Sequence, residues 1–265
     1  MTGTGTQADP YIVDNWTDFV TAAGTSSAYV EFSENTVIDM DENYSEGISA
    51  TININCASID GKNSQITNLY LIDNAALNFT STCTVENISL LNMRRDGNSG
   101  TTFYLSGDVS LSNCIITGSF GGSILFEAPG VRNINCCSIT VHLQEGCAFT
   151  KGSRYEDTRC LHLNDSILRV SGNPLLTGQY RKFVLDNSMI AGKLPTNAFY
   201  KITSSIINCD IPDNTSITAS SGKGYINSDL FGTGVTVDSH FASLTDEQLQ
   251  DAEYLESIGF PIGVE

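Results

Sequence analysis

The densest group of side chains able to do chemistry lies in one stretch, Lys151-Gly-Ser-Arg154-Tyr155-Glu156-Asp157-Thr-Arg159, the most charged window of the chain. Both signs of charge beside a tyrosine suit contact with a sugar or with a loop of a partner, so Lys151, Arg154, Tyr155, Glu156, Asp157 and Arg159 are the candidate contact residues. The plainer reading is a solvated insertion that balances its own charge. Hydrolysis of a glycosidic bond would need two or three carboxyl groups converging across neighbouring strands. Asp39, Asp41 and Glu42 cluster without a base nearby, and Arg94-Arg95-Asp96 reads as a turn. Asp165 and Asp229 sit in a recurring phrase, at different positions of it, and no acid is expected at one column of consecutive repeats. The eight cysteines form no Cys-x-x-Cys pair, and His142, His162 and His240 have no metal-ligand spacing with them. Free thiols packed among small side chains are therefore expected. No phosphate loop or nucleophile elbow is present. These residues predict no catalytic site, no cofactor and no metal.

The elements that would position these residues are written in a repeated phrase: an aliphatic residue, a small polar cluster, and a second aliphatic five positions after the first. It reads Ile54–Ile59, Val85–Leu90, Leu111–Ile116, Ile134–Ile139, Leu163–Leu168, Leu185–Ile190, Ile202–Ile207 and Ile226–Phe231. The second aliphatics are separated by 31, 26, 23, 29, 22, 17 and 24 residues. A drifting period of this size marks stacked repeats that bury their apolar faces against one another. An odd separation cannot place both aliphatics on one face of a straight strand. A corner turned by Asn, Asp or Ser restores both to the interior, because these residues tolerate left-handed backbone and bond locally. Short β-rich runs at Tyr29–Phe32, Thr36–Asp39, Thr51–Ile54 and Thr102–Leu105 fill the rest. The fold class expected is all-β: a single right-handed parallel β-helix (solenoid) with short α-helical caps at both ends. Residues 1–27 form the N-terminal cap, with a helix capped by Asp14 or Asn15, anchored by Trp16 and Phe19 and ended by Gly24. Residues 28–240 form the parallel β-helix. Residues 241–265 form a C-terminal helical cap, begun by Thr245 or Asp246, with Leu249, Ala252 and Leu255 as its apolar face.

Charge narrows the partners. The net charge is −17, with ten acids and no Lys or Arg in residues 1–60 and eight acids and no Lys or Arg in residues 224–265. Nucleic-acid binding is disfavoured, since phosphate contacts need clustered bases. Acidic ends favour solubility and can dock on a basic partner surface. No apolar run reaches the length of a membrane span, so no membrane association is expected. Met1-Thr-Gly-Thr-Gly lacks the basic and apolar parts of a signal peptide, which leads to the expectation of synthesis in a cytoplasm.

The opening Gly3-Thr-Gly-Thr-Gln-Ala-Asp-Pro-Tyr11 with Trp16 and Phe19 resembles the start of β-helix proteins encoded by phages and prophages. Ile59-Asp-Gly-Lys-Asn63 and the Asn-rich repeats are similar to pectate-lyase-like β-helices, and Leu255-Glu-Ser-Ile-Gly-Phe-Pro-Ile262 resembles the closing segment of such phage proteins. The resemblance spans the chain, but its motifs are structural and bring no catalytic signature. It implies a structural protein on the exterior of a bacteriophage virion, of the capsid decoration or head-fibre type, made in a bacterial host cytoplasm, with capsid or other virion proteins as partners. A host surface glycan is a further partner in this reading, and a homotrimer is an assembly that the resemblance implies. A tailspike is less favoured, because the cap begins almost at Met1 and leaves little room for an anchoring domain. The alternative is a tail-associated glycan-binding protein or a polysaccharide-degrading β-helix enzyme. Exposed aromatics on one face would mark glycan binding, and Tyr104, Tyr155, Tyr180 and Tyr200 are the residues concerned.

Overall fold

The computed structural model describes residues 1–97, 100–127, 132–151, 160–172, 176–177, 182–193 and 199–260. The protein is all-β, with 53% of residues in strands and 12% in helices. Its strands fall into an 18-stranded sheet and a separate 6-stranded sheet.

The repeated phrase builds the larger sheet through one local device. In Val85–Leu90, the residue two past the first aliphatic, Asn87, has φ +55°. Its equivalents Asn113, Cys136, Asp165, Asn187 and Ser204 have φ between +45° and +51°. A single left-handed residue reverses the in–out alternation, so the aliphatics five apart both point inward. Register then stacks each of them on its equivalent. Val30, Ile59, Val85, Leu111, Ile134, Leu163, Leu185 and Ile202 pair in series, all of them buried. Ile66, Leu90, Ile116, Ile139, Leu168, Ile190, Ile207 and Ile226 form the second series. Two of the eight phrases are therefore misplaced. Ile59 belongs to the first column rather than the second, because Lys62 and Asn63 are both left-handed and stretch its repeat to end at Ile66. Ile226 belongs to the second column, and the residues after it turn into a short 3-10 helix, Ser228–Leu230.

The expectation of a single right-handed parallel β-helix is corrected by how these ladders join. The strand Cys83–Arg95 runs through its corner unbroken and pairs with both Val109–Ser112 and Ile115–Phe120. The strand Phe199–Asp210 does the same, pairing with both Lys182–Asp186 and Met189–Lys193. The ladders between them thus form a closed parallel barrel of 10 strands, with the remaining strands outside it. The physical reason is that a one-residue corner bends a strand without ending its hydrogen bonding. The solenoid and pectate-lyase-like descriptions of the architecture fall with the β-helix.

Beside each corner a small residue closes the interior. Cys114 N–H donates to Cys137 Sγ (3.4 Å), Cys137 N–H to Ser166 Oγ (3.0 Å), Ser166 N–H to Ser188 Oγ (3.0 Å) and Ser188 N–H to Ser205 Oγ (3.0 Å). The turn geometry takes these N–H groups out of the ladder, and side chains three residues past each first aliphatic satisfy them. Outside, the corner amides form their own ladder. Asn87 Nδ2 donates to Asp60 (3.0 Å), Asn113 Nδ2 to Asn87 (2.8 Å) and Asn187 Nδ2 to Asp165 (2.6 Å).

Helices cover parts of both ends. Helix α1, Trp16–Ala23, is capped by Asn15, whose side chain accepts the Asp18 N–H (2.9 Å), and it buries Trp16, Phe19, Ala22 and Ala23. A one-turn helix, α2, spans Asp41–Tyr44. Near the C terminus, one helix begun by Thr245 or Asp246 and reaching Leu255 is expected and two are found: α3, Asp246–Gln250, and α4, Ala252–Ser257. Thr245 and Gln248 make a reciprocal capping box on α3. Asp251 is extended and accepts the Tyr254 N–H (3.0 Å), so it ends one helix and caps the next. Phe260, Leu249, Tyr254 and Leu255 pack with Ile206 and Leu244 in a separate small core.

Candidate functional site

The 6-stranded sheet and α1 frame an open groove of about 660 Å3. Gly24 ends α1, and the following chain is tied to the sheet where the Asn55 and Cys56 N–H groups donate to Ala23 O (2.8 and 3.0 Å) and Asn55 Nδ2 donates to Gly24 O (3.0 Å). The helix is thereby fixed beside the strand Ile52–Ile54, and Trp16 and Tyr44 line the groove between them. Their rings meet edge-on, with centroids 6.4 Å apart. Ser49, Thr51, Asn53 and Asn55 supply hydroxyl and amide groups to the lining, which among the described residues contains no charged side chain. Gly47 lies there with φ +92°, and a Cβ on it would come within 2.7 Å of Ile72, so a larger residue would distort this wall.

The lining continues along the outer face of the sheet. Asn53 pairs in register with Asn78, and Asn78 with Tyr104. Asn78 Nδ2 donates to Asn53 Oδ1 (2.8 Å), which fixes both amides. Tyr104 is 39% exposed, one of few large apolar side chains so open among the described residues. Two inter-strand steps separate Asn53 from Tyr104, about 10 Å.

A second polar feature lies at the corner of the larger sheet. Glu31, Asp60 and Glu86 occupy one column of three consecutive strands. This corrects the expectation that no acids share a column. The longer repeat around Lys62 and Asn63 hides the alignment. Lys62 Nζ sits 2.8 Å from Asp60 and 3.5 Å from Glu31. Burial works against ionisation of Asp60, but the Lys62 ammonium, the Asn87 amide and the Lys62 N–H outweigh it and hold the carboxyl below its usual range. That is the opposite of the raised carboxyl a general acid requires.

Arg94 and Arg95 close the long strand Cys83–Arg95 rather than forming a turn. Arg94 lies 4.0 Å over the Tyr70 ring and 2.8 Å from Asp96, which also accepts from the Tyr70 hydroxyl (2.7 Å). Arg95 is fully buried, and its two terminal nitrogens donate to the carbonyls of Ala75, Thr101 (2.8 Å) and Asp73 (3.2 Å), so backbone dipoles receive that end of the cation. Asp39 accepts from Asn68 Nδ2 (2.9 Å) and the Asp41 N–H (3.1 Å), and these bonds hold its carboxyl below the usual range. Asp165 is a corner-ladder acceptor, and Asp229 accepts the Asp246 N–H (2.7 Å) at the start of α3.

Among the described residues seven cysteines are free thiols, six of them buried. Cys56 and Cys83 touch through sulfur at 3.9 Å. That contact and burial push the Cys83 thiol up, and burial raises Cys147 to about 11. No group of acids, histidines and cysteines able to hold a metal occurs among the described residues, nor a helix able to cross a membrane.

Of the charged window, residues 152–159 lie outside the described residues. These include Arg154, Tyr155, Glu156, Asp157 and Arg159. Lys151 is placed only by its backbone, in the strand Ala148–Lys151. Tyr180 also lies outside the described residues, and Tyr200 is known only as a strand position. Tyr104 alone of the four tyrosines is seen with its side chain. Trp16 is buried in α1 as a cap anchor would be, and the groove beside it carries no signal in the sequence, because its polar rim comes from small residues, 49–55, that form no motif. Comparison with protein-family models and with curated proteins finds no match.

Proposed function

We propose that the chain is a structural protein of the exterior of a bacteriophage particle, of the capsid decoration or head-fibre type, docking on the particle and projecting outward. The observation that carries this reading is the internal column from Cys114 to Ser205, in which every corner is braced to the next by a buried hydrogen bond. Such bracing stiffens the frame over these five corners, which serves a load-bearing part of a particle better than it serves a mobile active site. The phage-like sequence at both ends supports the setting, and the acidic ends provide charge for docking on a basic surface. Purified chain added to particles lacking it tests the docking: saturable co-sedimentation that weakens with salt is expected. Failure to co-sediment at any ionic strength would overturn the reading.

A further inference from the structure

We propose that the groove between α1 and the strand Ile52–Ile54 binds a short, uncharged saccharide, and that the ligand extends over Asn53 and Asn78 to Tyr104. This site does not depend on the particle-surface reading. Sugars present an apolar face of C–H groups and an edge of hydroxyls. The groove meets both demands, with Tyr44 and the small exposed part of Trp16 (8% exposed) in its lining, and with the Ser49 and Thr51 hydroxyls and the Asn53 Nδ2 group offering polar contacts. Its volume of about 660 Å3 lies within the range of small-ligand sites. Asn53 is held by Asn78, so it is ordered before a ligand arrives, which lowers the entropic cost of binding. Charge selects the class of sugar. Among the described residues no charged side chain lines the groove, and residues 1–60 hold ten acids and no Lys or Arg, so uronate or sialate would be repelled. A neutral hexose or N-acetylhexosamine chain fits.

Trp16 is the only tryptophan and borders the groove, so its fluorescence senses a ligand seated against Tyr44 and the strand. The full chain is titrated with maltose and maltotetraose, and with the di- and tetrasaccharide of N-acetylglucosamine. Saturable change with at least one series is expected, and either series identifies which neutral sugar is preferred. Ala50→Gln places a larger side chain in the groove from an exposed position. It should weaken binding at least tenfold while the unfolding midpoint stays unchanged. Tyr104→Ala should weaken the tetrasaccharide several-fold and leave the disaccharide unaffected. If neither series gives a saturable change, the proposal fails. It also fails if Ala50→Gln binds as tightly as the unmodified chain. Tyr104→Ala weakening both lengths equally, or neither, would remove the extension over the strip. The co-sedimentation experiment above is read without sugar, so the two proposals fail separately.

Discussion

Replacing Ser166 by Ala removes one brace of the internal column and leaves the rest in place. Ser166 is 1% exposed. Its Oγ accepts the Cys137 N–H at 3.0 Å and lies 2.7 Å from Asn164 O, to which it donates. Alanine fits the space but strands the Cys137 N–H in the interior, and a buried unsatisfied donor costs about 1–3 kcal/mol. Taking about 2 kcal/mol, and about 2–4 °C per kcal/mol for a chain of this size, the midpoint should fall by about 4–8 °C. Ser166→Cys is the informative partner. Cys137 already accepts the Cys114 N–H through sulfur one strand earlier, at 3.4 Å. A thiol at 166 should therefore recover at least half of the loss, despite its larger size. Thermal unfolding followed by far-UV circular dichroism measures both variants. A midpoint for Ser166→Ala equal to that of the unmodified chain would refute the bracing argument, as would Ser166→Cys falling as far as Ser166→Ala.

Three further outcomes follow from the same geometry. Asn113, at φ +51°, should tolerate Gly better than Ala, since Ala pays about 1–2 kcal/mol for left-handed backbone; denaturant midpoints should rank Asn above Gly above Ala. Leu185→Asp, at a position with no exposure, buries an unpaired charge and should prevent folding, seen as loss of the cooperative transition. Lys62→Met should destabilise at neutral pH. Because Asp60 is held below its unfolded value, its contribution is present above about pH 4 and is lost as pH falls through the depressed folded value. The gap between the two proteins in urea midpoints should therefore close in acid, and a gap that widened there would contradict the pairing.

The corners were legible in the sequence because two independent signals coincide there. An odd spacing of five demands a reversal of alternation, and Asn, Asp and Ser tolerate the backbone that supplies it. Cys136 shows why no residue type alone would have sufficed: it is left-handed at φ +51° only because its position requires it. The register at the first repeat was not legible, since Ile54–Ile59 imitates the phrase while the true corner carries the extra left-handed pair Lys62 and Asn63. That error also concealed the Glu31–Asp60–Glu86 column. Closure of the ladders depends on whether a corner interrupts hydrogen bonding, as in Cys83–Arg95, and this depends on pairing between residues far apart in sequence. Arg95 looked like a turn cation because nothing local signals that three carbonyls from other strands and turns will receive it.

The proposal that the chain is a phage-surface protein is tested most directly by its copy number in purified phage particles, measured by quantitative mass spectrometry against the major capsid protein. The account predicts many copies, on the scale of the capsid protein or a fixed fraction of it. Absence of the chain from the particle would contradict it.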